Sequence, residues 1–484
     1  MASLIRSSLI LAFARATNLA LLFLSPILLV RLLDPATFGQ YREFIAWAMI
    51  TIAIAGFSIS TNLLYFIPRD PQNANRYVSH TNWFSLIASA LAFALLWAFR
   101  DRIHANASFD LVLPLATYAF LYLNLAYLDT YWIATRQPKY VFYYSTARTI
   151  IRLAAVIGTA WVTGSIEAIV VSLVLVEAVR LISVLIISQR IGLLSFQFDR
   201  RLIPEQLRFI LPLGLATSLA QVHQYIGQLV ISTQLGVLAL AIYSVASYKA
   251  PVIRIVRGAI SDAIFPEMVR RAAGRAVDGL RLWKRGTIGY AFLILPSFML
   301  LFWYADVLIP LVFTQQYADA VPIFRILLLV MPLEAIELNT PLRAINRTPD
   351  MLAGNALLLG TNVLCIVAFF RWLPEQAILG PAVGTVAGYV AQLCFLGSRI
   401  LRWYEIRLAD LMKWRSLGAI WLCTIGVAAV LAAGEYVPMP ELARMLVFGT
   451  LYGGAYLVAI RLFRLEEVET LFFKLRRRLA RAPA

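Results

Sequence analysis

Charge is scarce in this sequence. Only 14% of its 484 residues are Asp, Glu, Lys or Arg, against about 25% in an ordinary soluble domain. That is too little to cover the surface of a water-soluble protein of this length, so soluble α/β and all-β enzymes are excluded. Cysteine and histidine are also rare, at three each. Neither a disulfide scaffold nor a metal-rich centre can be built from so few. Cys365, Cys394 and Cys423 lie in long apolar runs and read as buried free thiols. His80 and His104, assigned to loops, lack metal-ligand spacing. No phosphate-binding loop and no dinucleotide fingerprint occur. No cofactor, metal or catalytic residue is therefore expected.

What is abundant is apolar sequence. Hydrophobic residues make up 61% of the chain, and the mean hydropathy is +0.76. A helix that spans a membrane needs roughly 20 mostly apolar residues. Fourteen such runs can be drawn, with no period-two alternation to suggest a barrel. The first six cover residues 8–30, 43–67, 83–99, 111–134, 141–162 and 166–188. The next six cover 207–233, 240–266, 287–303, 321–339, 351–372 and 378–400. The last two cover 417–433 and 445–462. The predicted fold is all-α and polytopic.

A net charge of +17 would suit nucleic acid, but the basic residues fall between the apolar runs. That pattern reports membrane topology, and no nucleic-acid partner is expected. With the N-terminus inside, 28 of the 43 basic residues fall in inner segments, six in outer segments and nine within spans. Both termini are then cytoplasmic. The first residues have some features of a signal peptide, but the apolar run continues unbroken to Val30. The basic tail, residues 464–484, reads as a helix against acidic inner-leaflet lipid.

A weak internal repeat accompanies the spans. "LLVRLLDPATFGQY" after span one matches "VISTQLGVLALAIY" after span seven, pairing Leu33 with Leu235 and Tyr41 with Tyr243 at an offset of 202. Six spans fit that distance. Residues 1–190 and 206–402 therefore read as two six-helix lobes in the same orientation. Residues 414–463 add two further spans.

An Arg at the bilayer centre costs about 2.5–3.5 kcal/mol and should face a wet cavity or a partner. Arg180 has Glu177 at i,i+3 spacing, and with Arg208 and Arg325 it reads as structural. Arg15 lies mid-span, with Asn18 one turn on. Arg148 and Arg152 form an i,i+4 pair, and Arg254 and Arg257 an i,i+3 pair. Like charges at such spacings repel, which a bound anion would offset. Gln221, Gln224 and Gln228 form a polar stripe on span seven; amides there can join helices or bind substrate hydroxyls. The acids Asp129, Asp262, Glu334 and Glu337 can pair with arginines or carry a coupling proton or ion.

"VRLLDPATFGQY", "QLGVLALAIYSVASY", "AISDAIFPEM", "ADVLIPLVFTQQYADAVPIFRILLLVMPLEAI" and "LRAINRTPDMLAGNALLLGTNVLCIV" together resemble the bacterial oligosaccharide-flippase branch of the multidrug, oligosaccharidyl-lipid and polysaccharide (MOP) exporter superfamily. The resemblance covers roughly residues 1–400. One departure is Thr314 in "LVFTQQY", where the family usually has glycine. The resemblance implies two six-helix lobes around a central cavity in the bacterial cytoplasmic membrane. It implies a transporter, not an enzyme, that moves an undecaprenyl-pyrophosphate-linked oligosaccharide to the outer leaflet for O-antigen, capsule or exopolysaccharide synthesis. Membrane lipids and a polysaccharide polymerase or export machinery are the implied partners. A basic cavity holding the pyrophosphate would place Arg15, Arg148, Arg152, Arg254 and Arg257 at the substrate, with Asn18 and the Gln stripe beside it. A multidrug antiporter is the alternative within the superfamily; those cavities favour acids, and here basic residues outnumber acids in the spans. A membrane polymerase or ligase would need a long outer loop, which is missing. A scaffold in an export complex gives the buried charges no substrate to offset their cost.

Overall fold

A computed structural model describes residues 2–193, 197–248, 264–265, 267–268, 270 and 276–463, giving only the backbone for 2–16 and 276. Among the described residues the secondary structure is helical throughout, without strands. Among the described residues nine helices are long and apolar enough to cross a membrane, or ten if one bent pair counts as a span. Two compact units are formed, residues 1–251 with 373–381, and residues 252–372 with 382–484.

The first unit holds α1 (Ala2–Leu32), α2 (Pro35–Gly56), α3 (Leu63–Arg69), α4 (Ala74–Ala98), α5 (Arg100–His104), α6 (Val112–Leu125), α7 (Tyr127–Ala134), α8 (Pro138–Thr163), α9 (Ile166–Arg190) and α10 (Ile203–Ala246). Within it α1 runs along α8, α2 along α10, and α9 against α6 and α8. Residues 203–246 thus pack with the first unit, so the units divide at a different place from the repeat boundary drawn on the sequence. Glycine explains the closeness of α2 and α10: a Cβ on Gly39 would overlap the Val237 carbonyl.

The start of α2 follows from its first residues. Asp34 is extended, and its carboxylate accepts from Ala36 N at 2.9 Å and Thr37 N at 3.1 Å, while Pro35 supplies the first helical φ. The Thr37 hydroxyl, with these N–H groups, holds the Asp34 carboxyl below its usual range. Span two therefore begins eight residues before the sequence-based start at Glu43, and Arg42 lies inside the helix, not in an outer loop. Nor is span two one helix. Phe57 and Ser58 both take left-handed φ values of 44° and 50°, and the chain bends by 47° into the segment Ile59–Arg69. Gly214 of α10 accepts this bend, because any Cβ there would strike Phe57.

The turn inside α10 repeats the position of the α1–α2 turn. Gly236, at φ 84° and ψ 174°, breaks the helix 202 residues after Asp34. That is the offset of the sequence repeat.

α9 shows how the sequence sets a span's orientation. Val171, Leu175, Val179, Ile182 and Ile186 are exposed along one side, while Leu173, Glu177, Arg180 and Val184 are buried on the other. Apolar-out and charged-in is the reverse of a soluble helix, as expected where the surroundings are hydrocarbon.

The second unit holds α11 (Ala276–Trp303), α12 (Ala305–Phe313), α13 (Ala320–Leu328), α14 (Val330–Glu334), α15 (Asn339–Ala344), α16 (Thr348–Trp372), most of α17 (Gly380–Trp403), α18 (Leu408–Leu411), α19 (Trp414–Val427), α20 (Ala429–Glu435) and α21 (Glu441–Leu462). Span ten, drawn as one run, is interrupted: α13 and α14 are nine and five residues long. The last two spans pack on α11, where the Tyr456 hydroxyl donates to Phe292 O at 3.0 Å. Of the three cysteines, all free, only Cys423 is buried; Cys365 is half-buried and Cys394 exposed, correcting the expectation of three buried thiols.

Thr314 explains the family's glycine. Its φ of 82° and ψ of 157° lie in a region open essentially to glycine alone. Its hydroxyl is also buried with no hydrogen-bond partner. Thr314→Gly is expected to stabilise the protein by about 1–2 kcal/mol, read as a higher unfolding temperature in detergent. An unchanged or lower temperature would refute strain at this turn.

Candidate functional site

Four arginines of the first unit are described as less than exposed: Arg42, Arg148, Arg152 and Arg180. Two are neutralised. Arg180 Nη1 donates to Glu177 Oε2 at 2.8 Å, Nε to the Tyr144 hydroxyl at 3.1 Å and Nη2 to Leu125 O at 3.3 Å. This is the i,i+3 pair that the spacing predicts, and its donors are spent on structure. Arg148 Nη1 donates to Asp129 Oδ2 at 2.9 Å. Asp129 is thereby a partner of a cation, and its second oxygen is buried with no hydrogen bond.

Arg152 differs. Its guanidinium lies 5.8 Å from the centroid of the Tyr118 ring, and no carboxylate stands within ion-pair distance among the described residues. Tyr118, Tyr41, Glu177 and Tyr122 are within electrostatic reach. The Tyr118 hydroxyl is itself buried and without a partner. A cation–π contact of this kind is worth about 0.5–2 kcal/mol. It does not match the about 2.5–3.5 kcal/mol cost of an arginine in the membrane centre. A bound anion would close the gap with charge-assisted hydrogen bonds.

Asn18 meets the same helix, α8, seven residues before Arg152. Its Nδ2 donates to Ser145 Oγ at 3.0 Å, tying α1 to α8, while its Oδ1 is buried and unpaired. The Gln stripe is divided: Gln221 and Gln224 are exposed, and Gln228 is 4% exposed and accepts from Arg42 Nη2 at 3.1 Å. Glu337, in the second unit, accepts from the backbone N–H of Asn339 and Thr340 and so caps α15. Glu334 accepts from the Tyr389 hydroxyl at 3.3 Å. The side chain of Arg15, and Arg254, Arg257 and Asp262 altogether, lie outside the described residues.

A family model described as polysaccharide biosynthesis protein matches residues 28–322. The chain belongs to the polysaccharide biosynthesis protein family. Its fold resembles that of MOP superfamily transporters. It is similar to the inward-closed structure of the lipid II flippase MurJ, with a TM-score of 0.69 and 14% identity, covering 95% of this chain and 98% of that one. An inward-facing multidrug-resistance MATE transporter of the MOP superfamily gives a TM-score of 0.61 at 16% identity, covering 80% and 97%. A MOP superfamily transporter from Pyrococcus furiosus, described by the reverse polarity of its binding pocket, gives 0.53 at 16%, covering 81% and 95%. Comparison with curated proteins gives no match.

Three polar groups of the chain escaped the sequence reading. Arg42 is one. Glu43 is the second: it is fully buried, accepting from Ser232 Oγ at 2.7 Å, Ser108 N at 3.2 Å and the Ser108 hydroxyl. His80 is the third, and it sits within α4, fully buried, not in a loop. Its Nε2 accepts the Asp199 N–H at 2.9 Å, and Gln206 Nε2 lies 3.1 Å from its Nδ1. That links α4 to α10 and to the segment before it. The Asp34-Pro35 pair was the available signal for Arg42 and Glu43, since it marks a helix start. His80 gave none beyond its place in an apolar stretch.

Proposed function

We propose that this chain is a flippase in the bacterial cytoplasmic membrane. It carries an undecaprenyl-pyrophosphate-linked oligosaccharide from the inner to the outer leaflet by alternating access, for O-antigen, capsule or exopolysaccharide synthesis. Both termini are cytoplasmic in this reading, as the distribution of Lys and Arg favours. The observation that carries it is Arg152, a guanidinium of the first unit with no carboxylate at ion-pair distance among the described residues. The diphosphate is assigned to Arg152 with Arg148, Arg15, Arg254 and Arg257. Asn18, Gln221 and Gln224 are assigned to the sugar. The family to which the chain belongs supports a saccharide-linked cargo.

The antiporter reading needs free carboxylates for a cationic drug. In the first unit Asp129 and Glu177 are each held by an arginine. Glu43 is satisfied by three donors. The charges instead suit an anion, and its movement needs no nucleotide. A diphosphate head carries about two negative charges, and each is worth about 2.3 kcal/mol per 100 mV of inside-negative potential on moving outward.

Deleting the gene in its host tests this. The expected result is loss of surface polysaccharide, with lipid-linked oligosaccharide accumulating where an external glycosidase cannot reach it in spheroplasts. Normal polysaccharide with raised sensitivity to cationic dyes would replace the flippase with the antiporter.

A further inference from the structure

His80 is fully buried on α4, and both of its ring nitrogens are engaged. The bond at Nε2 fixes the charge of the ring. A backbone N–H can only donate, so Nε2, which takes the Asp199 N–H at 2.9 Å, carries no proton. The one proton of a neutral imidazole is therefore on Nδ1. The amide of Gln206, 3.1 Å away on α10, can meet that N–H with its oxygen, since the two ends of an amide are alike in shape. An imidazolium carries N–H groups on both nitrogens. It sets donor against donor at Asp199, and the bond is lost.

What hangs on this bond is the connector, residues 197–202, which leads into α10 at Ile203. Phe198 meets the imidazole edge to face, with ring centroids 5.6 Å apart. The Asp199 carboxylate is committed elsewhere. Its Oδ2 stands 3.4 Å from Arg76 Nη1, and its Oδ1 accepts from Arg201 N at 3.0 Å. Turning to an imidazolium would break both contacts. Asp199 on the connector and Arg76 on α4 are the charged groups within electrostatic reach of the ring. Gln206 and, next to it, Asn62 are neutral amides. His80 stands six residues after Ala74, about 9 Å along α4. In the orientation proposed above α4 starts at the inner face, so a proton reaches the ring from the cytoplasm.

We propose that His80 is a proton-sensitive latch: its neutral ring docks the connector onto α4, and its protonation releases the connector and with it the start of α10. Docking needs the neutral ring. Release therefore takes up a proton, and acid on the inner side favours the released form. The latch does not depend on what the chain carries, so it goes beyond the flippase reading. Through it the acidity of the cytoplasm would set how freely the inner end of α10 moves against α4.

The test is hydrogen–deuterium exchange at the Asp199 amide in the purified full chain in detergent, each rate divided by the intrinsic rate at the same pH. Between about pH 8 and about pH 5, protection should hold while the ring is neutral and then fall about tenfold per pH unit. His80→Gln offers an oxygen to the same N–H and does not titrate, so its protection should stay level across that range. Asp199→Asn keeps the backbone N–H and removes the carboxylate, and it should switch as the wild type does. Nitrogen NMR on chain labelled only at its three histidines needs no variant. At the alkaline end His80 should show a bare Nε2 and a protonated Nδ1. Protection in the wild type that ignores pH overturns the latch, as does a protonated Nε2 there. A loss that persists in His80→Gln, or one that vanishes in Asp199→Asn, moves the sensor to another group and also overturns it. None of these outcomes touches the flippase reading, because no transport is measured.

Discussion

Arg152→Ala is expected to abolish polysaccharide export while the protein reaches the membrane in normal amount. Among the described residues the side chain has no ion pair to lose, and nearby Glu177 keeps its bond to Arg180, so folding should tolerate the change. What is lost is the unneutralised charge. Arg152→Lys should restore part of the export, since it keeps the charge but not the two-pronged grip on phosphate. Surface polysaccharide, measured at native expression beside the level of the protein in membranes, decides it. Normal export by Arg152→Ala would remove the observation on which the flippase reading rests. Arg15 and Arg254 remain the counterpart variants on spans one and eight.

The second large effect is on stability. Glu177→Ala leaves Arg180, whose side chain is 5% exposed, as a buried cation without its acid. Arg180→Ala strands Glu177 in the same way. Each should cost about 3–5 kcal/mol, because the desolvation cost stays when the partner goes. The double variant Glu177→Leu/Arg180→Met should recover most of the loss, since an apolar pair of similar volume needs no compensation. Unfolding temperatures in detergent give the comparison. The double variant should also export, because the donors of Arg180 are spent on Glu177, Tyr144 and Leu125. Recovery of stability with loss of export would move Arg180 into the transport site, and an unrecovered double variant would contradict the ion-pair account.

The sequence disclosed the class of molecule because that depends on summed quantities: charge content, hydropathy and the sidedness of Lys and Arg. It disclosed the Glu177–Arg180 pair because that contact is local, three residues along one helix. It did not disclose Arg42 with Gln228, which stand 186 residues apart and meet only because α2 and α10 pack together at Gly39. The bend at Phe57–Ser58 was hidden for a different reason. Neither residue is glycine or proline, so no local preference announced a left-handed turn there. At Thr314 the order was reversed: the departure from the family's glycine was visible, and the backbone supplied its meaning.

The bend at Phe57–Ser58 also says which side of the first unit meets the bilayer. A chain broken between two helices frees backbone groups that hydrocarbon cannot satisfy. Here they lie among polar neighbours. The Ser58 hydroxyl is 2.7 Å from that of Thr217, Ser218 Oγ donates to Ala53 O at 2.6 Å, and the Thr81 hydroxyl donates to Asn62 Oδ1 at 3.1 Å. Acyl chains must therefore be kept away from this stretch, and the annulus of lipid falls to helices that can present unbroken apolar faces, of which α9 is the plainest. The first unit thus has a greasy perimeter made of intact helices and a seam of broken, hydroxyl-rich backbone that only protein or water can touch.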